Sequence, residues 1–164
     1  VTHVRAPRRA RMCIVLAPEA RGIFPGLTVR ENLQLWLSST TDAEVVYERF
    51  PILYDRRNLA AGNLSGGEQQ ILTLAPLLVN PPAVLIADEP SLGLAPLIVD
   101  QIMSLFVELK NAGTGLLLVE EKARDLLDIT DSVAIINLGR ISWNGPRADA
   151  DPERIASEYL GVLA

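Results

Sequence analysis

An apolar run that ends in two adjacent carboxylates constrains the fold of this chain more than any other feature. Residues 83–87 are apolar, and Asp88, Glu89 and Pro90 follow directly. Such a run is typical of a strand buried in a parallel sheet. Open α/β sheets bind ligands at the carboxyl ends of their strands, so both acids lie where a ligand is expected. An aspartate there suits magnesium that also contacts phosphate, and the next carboxylate can orient a water molecule.

A second motif precedes this run and predicts the start of a helix. In Leu64-Ser65-Gly66-Gly67-Glu68, Ser65 can cap the helix and Glu68 stands three residues later as its reciprocal partner. The two glycines leave the first backbone N–H groups uncovered at the positive end of the helix dipole. That arrangement favours an anion, most naturally a phosphate. The two motifs together indicate nucleotide hydrolysis.

Each motif alone has an ordinary structural interpretation. A Ser-x-x-Glu sequence is a common capping box, and two acids after an apolar run are often only the solvated end of a strand. The order of the elements distinguishes the two interpretations: loop, glycine pair, helix, strand, carboxylate pair and proline, all within residues 63–96.

Composition excludes several classes of function. The 164 residues are enough for one domain with a core, and the net charge of −5 argues against nucleic acid as the main partner. Cys13 and His3 are the only residues of their types, so they predict neither a disulfide nor a zinc cluster. The apolar stretch 72–87 is interrupted by three prolines and an asparagine, so we expect no membrane span and a cytosolic protein.

The remaining elements alternate between strands and helices, which predicts an α/β fold with a parallel sheet. Residues 1–11 are basic and expected to be irregular, whereas residues 27–75 look helical and predict an inserted α-helical subdomain. The helix that begins after Ser65 must kink or end at Pro76, and Pro51 should stop the helix predicted at 42–50. Further strands are predicted at 12–16, 115–119, 133–136 and 141–143. One helix is predicted to begin with a capping box of Thr28 and Glu31. The other helices are predicted at 42–50, from Pro96 to Gly113, at 126–130 and at 151–163.

The pair of motifs resembles the ATP-binding cassette (ABC) ATPases, with residues 64–68 as the signature motif and 84–89 as Walker B. The resemblance covers nearly the whole chain. Residues 21–33 and 89–96 are similar to the ATPase subunits of branched-chain amino-acid importers. The resemblance implies an incomplete P-loop NTPase core divided into residues 1–26 with the Q-loop, 27–76 as the helical subdomain, and 77–164 with Walker B, D-loop and switch region.

The resemblance also implies roles for individual residues. Asp88 would hold Mg²⁺ through water, and Glu89 would be the general base for ATP hydrolysis. Glu19 stands at the Q-loop, residues 91–95 at the D-loop, and Glu121 at the switch position. Signature residues Ser65, Gly66, Gly67 and Glu68 would face ATP held by a second ATPase subunit in a head-to-tail dimer. Permease subunits would be the other partners, with the protein peripheral on the cytoplasmic face of the membrane.

The sequence departs from that family at three places. Neither of the two lysines, Lys110 and Lys122, stands in a Gly-Lys-[Ser/Thr] sequence, so there is no Walker A motif, and the adenine-stacking aromatic is missing too. The simplest expectation is that the sequence begins part-way through a domain. Pro76 stands where similar proteins have arginine. Glu121 brings a negative charge towards the γ-phosphate, which should weaken hydrolysis, although it and Lys122 also fit a solvated strand end.

Three functional hypotheses follow. The chain is the larger part of an ATP-hydrolysing importer subunit, or it is a non-catalytic remnant that dimerises or is inactive. A chromosome-maintenance ATPase with a related signature motif is the third, and the acidic charge and the short span between residues 27 and 64 count against it.

Overall fold

A computed structural model describes residues 3–18, 22–120 and 126–150. The chain divides into two compact units, Val1–Glu121 and Lys122–Ala164, and each is described by itself. The first contains helices α1 (Ala6–Arg11), α2 (Val29–Gln34), α3 (Thr40–Arg49), α4 (Pro51–Asp55), α5 (Gly66–Leu74), α6 (Pro76–Val79) and α7 (Pro96–Asn111), and strands β1 (Ile14–Ala17), β2 (Val84–Asp88) and β3 (Gly115–Val119). The second contains strands β4 (Ser132–Asn137) and β5 (Arg140–Pro146).

The described strands of the first unit form a parallel sheet in the order β1-β2-β3. β2 lies in the centre, and its Leu85 and Ala87 are fully buried on one face of the sheet. Helix α7 connects β2 to β3 and contacts β3, as expected for a parallel crossover. It buries Ile102, Leu105, Phe106 and Leu109, the apolar stripe expected from their spacing.

The opposite face of this sheet is apolar and exposed. Leu16 pairs with Ile86, and Ile86 pairs with Leu117, so the three side chains form a row across the strands. Leu16 is 59% exposed and Leu117 is 56% exposed. Val119, one pleat further along, is 47% exposed.

Helices α2 to α6 pack into a helical region that contacts α7. Both of its predicted capping boxes are present, Thr28 with Glu31 and Ser65 with Glu68. Asn32 is buried and links the preceding loop to α2: its amide nitrogen donates to the carbonyls of Phe24, Leu27 and Thr28, and its oxygen accepts from Phe24 N at 2.8 Å. At Pro76, α5 has ended and α6 begins, which confirms the predicted break.

The second unit contains an antiparallel hairpin. β4 and β5 are joined by Leu138 and Gly139, whose φ angles are +47° and +76°. Two positive φ values are typical of the type I′ turns that match the twist of a hairpin. The guanidinium of Arg147 donates to the carbonyl of Leu127 at 2.8 Å.

The α/β class, the parallel sheet, the helical region and the five strands agree with the sequence. Two local predictions are wrong. Residues 6–11 are helical rather than irregular, and residues 126–129 form a turn instead of a helix. Pro51 follows the end of α3, as predicted, and it also begins α4, since proline is favoured in the first helical turn. The helix predicted at 151–163 lies outside the described residues. Among the described residues, no helix is both long enough and apolar enough to cross a membrane.

Candidate functional site

The two acids end the central strand, as the sequence predicts. Asp88 is the last residue of β2, is exposed, and pairs across the sheet with Val119. Glu89 follows with a φ of +46°, and its N–H donates to the carbonyl of Val119 at 2.9 Å. The chain therefore turns sharply at Glu89, in a left-handed conformation that a non-glycine residue seldom takes.

The loop after Glu89 is held by short-range turns and by one carboxylate. Leu92 N donates to the carbonyl of Glu89, and Leu94 N donates to the carbonyl of Ser91, both at 3.2 Å. Ser91 N donates to Oε1 of Glu120 at 2.8 Å. Sequence reasoning missed this contact. The available signal was that Glu120 directly follows β3, the neighbour of β2, and so lies at the same edge of the sheet as Asp88.

The signature segment forms the N-terminus of α5. The Ser65 hydroxyl accepts from Glu68 N at 3.3 Å, and the Glu68 carboxylate accepts from Ser65 N at 2.7 Å. Oε1 of Glu68 also lies 3.7 Å from Nε of Arg56. The cap therefore engages the amides of Ser65 and Glu68 but not those of Gly66 and Gly67, which are the first two residues of the helix.

Two contacts fix this helix start within the fold. The Gln69 side chain donates to the carbonyls of Leu64 at 3.0 Å and Ala61 at 3.3 Å, which ties the approach loop to α5. Gly67 lies against Ile98 in the first turn of α7: a Cβ on Gly67 would come within 2.9 Å of Ile98 Cγ1. Close packing therefore also favours glycine at this position, and no local sequence pattern predicts that contact. The signature helix rests on the helix that follows the Ser91–Ala95 loop.

The exposed carboxylate at the end of β2 can be compared with the ligands that magnesium uses when it binds together with a nucleotide. Within the part of the chain that the structure describes, no three histidine, cysteine, aspartate or glutamate residues are grouped to hold a metal ion. Mg²⁺ commonly uses one or two carboxylates, retains several waters and takes its other ligands from phosphate. The single exposed carboxylate of Asp88 is compatible with that pattern.

Two of the predicted site residues, Glu19 and Glu121, lie outside the described residues. A groove of about 560 Å³ is lined by none of the described site residues. Its walls include Val45, Leu78 and Leu109, and the ion pair between Arg49 and Glu108, 2.8 Å apart, also lines it.

Comparison with known proteins places the chain among transporter proteins. The ABC transporter family model matches residues 2–92. The high-affinity branched-chain amino acid transport ATP-binding protein BraG of Pseudomonas aeruginosa is 40% identical over 159 residues, which cover 92% of this chain and 68% of BraG. The probable branched-chain amino acid transport ATP-binding protein LivF of Archaeoglobus fulgidus is 35% identical over 99% of this chain and 72% of its own length.

Solved structures show the same fold at lower identity. The ATP-binding subunit of an ABC transporter matches with a TM-score of 0.79 at 23% identity, covering 98% of this chain and 75% of that one. An ATP-binding cassette of an ABC transporter in its ADP conformation matches with a TM-score of 0.71 at 22% identity, covering 96% and 68%. This chain belongs to the ABC transporter family as an ATP-binding subunit, and the enzymes of that family hydrolyse ATP.

Proposed function

We propose that this chain is the energy-coupling ATPase subunit of an importer for branched-chain amino acids. The observation that carries the proposal is the position of Asp88 and Glu89 at the exposed end of the central parallel strand, next to the end of β3. The substrate class rests on the similarity to BraG, at 40% identity.

In the proposed mechanism the two acids have different roles. Asp88 would hold Mg²⁺ through bound water, and the ion would supply positive charge that offsets the charge of the ATP phosphates. Glu89, which lies in the sharp turn itself, orients the attacking water and accepts its proton as general base. The left-handed φ of +46° at Glu89 supports this division, because it turns the chain away from the strand direction immediately after Asp88.

The signature segment serves a second nucleotide. We infer that Ser65 and the amides of Gly66 and Gly67, which the cap does not engage, contact the γ-phosphate of ATP held by a second ATPase subunit in a head-to-tail dimer. The cap supports this because it leaves those two amides at the positive end of the helix dipole. Glu68 contributes indirectly, since its carboxylate maintains the cap.

The proposal also includes two residues outside the described ranges and a division of the chain into three segments. Glu19, in the Q-loop, couples the phosphate site to permease subunits. Residues 27–76 form the helical subdomain between the core segments 1–26 and 77–164. The assembly is peripheral on the cytoplasmic face of the membrane. Glu121 at the switch position repels the γ-phosphate when ionised, so Glu121→Gln should accelerate hydrolysis.

The catalytic roles are tested in a fusion. The 164 residues contain no Gly-Lys-[Ser/Thr] sequence, so a P-loop segment is placed before residue 1. The fusion should hydrolyse ATP only with Mg²⁺. Glu89→Gln should lower kcat by about 10²- to 10⁴-fold while ATP binding is retained, and Asp88→Asn should raise the Mg²⁺ concentration required.

The matched control is Glu44→Gln, which removes one exposed carboxylate from α3 without touching the site. A fusion that binds no ATP would contradict the ATPase proposal and leave the non-catalytic remnant as the better description. Micromolar ATP binding by the 164-residue chain alone would contradict that alternative.

The substrate is tested separately. A Pseudomonas aeruginosa strain without BraG should regain leucine uptake when it expresses the fusion, and the Glu89→Gln fusion should not restore it. An active ATPase that leaves leucine uptake unchanged would refute the substrate while leaving the hydrolysis chemistry in place.

A further inference from the structure

The last residue of β3 and the residue after it hold both ends of the turn that contains Glu89. Glu89 N donates to the carbonyl of Val119 at 2.9 Å, and Ser91 N donates to the carboxylate of Glu120 at 2.8 Å. Pro90, between them, has no N–H to donate and is buried. We name these two adjacent acceptors, the Val119 carbonyl and the Glu120 carboxylate, the β3 clamp.

The clamp acts on a residue with an unfavourable backbone. Glu89 has a φ of +46°, which is sterically costly for any side chain with a Cβ. The ring of Pro90 narrows its choices further, since a proline restricts the backbone of the residue before it. Such a conformation persists only where surrounding contacts hold it, and the direction of the Glu89 side chain depends on it.

The two parts of the clamp differ in kind. The Val119 contact is made by main-chain atoms and is available to any residue at that position. The Glu120 contact depends on a side chain, is partly buried, and joins positions 29 residues apart. A carboxylate that accepts from a backbone N–H forms a charge-assisted hydrogen bond, which is stronger than a neutral one.

We infer that Glu120 is a positioning residue: it fixes the Glu89-Pro90-Ser91 turn and thereby the direction of the Glu89 carboxylate. Its importance for catalysis rests on the proposed function, because it acts through Glu89. The geometry itself can be tested in the 164-residue chain without nucleotide or turnover, so failure of the positioning role and failure of the ATPase proposal are distinguishable.

The experiment is NMR on the isotope-labelled chain. In the parent protein the Ser91 amide should be protected from hydrogen exchange, and Glu89 should show the strong intraresidue HN–Hα NOE of a left-handed residue. Glu120→Ala should raise the Ser91 exchange rate by about 10- to 100-fold and weaken that NOE. Glu120→Gln, whose amide oxygen can still accept, should restore both signals most of the way.

Two further variants keep the result interpretable. Glu44→Ala removes a carboxylate from the exposed face of α3 and should change neither signal. Glu120→Asp keeps the charge but shortens the side chain, and it should lose Ser91 protection even if the alanine variant fails to fold. Wild-type exchange at Ser91 and a wild-type NOE at Glu89 in folded Glu120→Ala, or in Glu120→Asp, would overturn the inference.

Discussion

Replacing Gly67 by alanine tests the close packing between α5 and α7. A Cβ at this position would lie 2.9 Å from Cγ1, 3.0 Å from Cγ2 and 3.4 Å from Cβ of Ile98. All three contacts are to one β-branched side chain, so a rotation that moves one of its γ carbons away brings the other towards the new carbon. We therefore expect the helices to separate slightly.

Two opposing terms set the magnitude. Forcing an extra methyl group into a packed contact costs about 1–3 kcal/mol. The higher helix propensity of alanine returns up to about 1 kcal/mol. The free energy of unfolding of the first unit should fall by about 1–2 kcal/mol, which corresponds to a decrease in Tm of roughly 2–8 °C.

The assay is thermal and urea unfolding followed by circular dichroism at the helix band, because the described α-helices all lie in the first unit. Gly26→Ala is the control, since a Cβ there meets nothing within 4 Å. Ile98→Ala removes both clashing γ carbons, so the cost of Gly67→Ala should disappear in that background. A penalty that persists in the Ile98→Ala protein, or an equal loss in Gly26→Ala, would refute the packing argument.

Three other predictions concern separate parts of the chain. Asn32→Ala should cost about 1–3 kcal/mol in urea unfolding, because it removes the acceptor of the part-buried hydrogen bond from Phe24 N–H, and Phe24 amide exchange should rise. Hydrogen bonds from the Thr28 hydroxyl and N–H lower the pKa of Glu31 in the folded protein. The ionised Glu31 therefore stabilises the fold at pH values above the ordinary glutamate pKa, and this stability is lost as the pH falls through the folded-state pKa. Because Glu31→Gln removes that titration, Tm should decline less steeply on the acid side. Leu138→Asn, at a φ of +47°, should stabilise the β4–β5 hairpin by about 0.5–1 kcal/mol, because asparagine tolerates this conformation better than leucine. The measurement is Trp143 fluorescence during unfolding in a Trp36→Phe background. For each of these three variants, unfolding unchanged from the parent protein would contradict the reason given for it.

The features that the sequence predicted correctly depend on neighbours along the chain. The capping box of Ser65 and Glu68 involves residues three apart, so a local pattern reveals it. The strand before Asp88 was recognisable because a buried parallel strand is apolar on both faces. These two local features were enough to predict that Asp88 lies at the carboxyl end of a buried strand and that Ser65 begins a helix.

The features that the sequence did not predict depend on distant residues or on a choice between two local rules. No local pattern shows that Gly67 packs against Ile98, or that Glu120 binds the amide of Ser91. Pro51 satisfies two rules at once, since a proline both stops a preceding helix and suits the first turn of a new one. The sequence therefore identified where chemistry is expected, whereas the contacts that hold those residues required coordinates.

The apolar face formed by Leu16, Ile86 and Leu117 has a practical consequence for anyone handling this polypeptide. A contiguous apolar surface on a β-sheet favours aggregation with other copies of the chain, especially where an adjoining strand such as β3 carries no charged residue. We expect light scattering from the purified chain to rise steeply with concentration, and a lysine in place of Leu117 should suppress that rise. Preparations for spectroscopy should accordingly be kept dilute or carry that change.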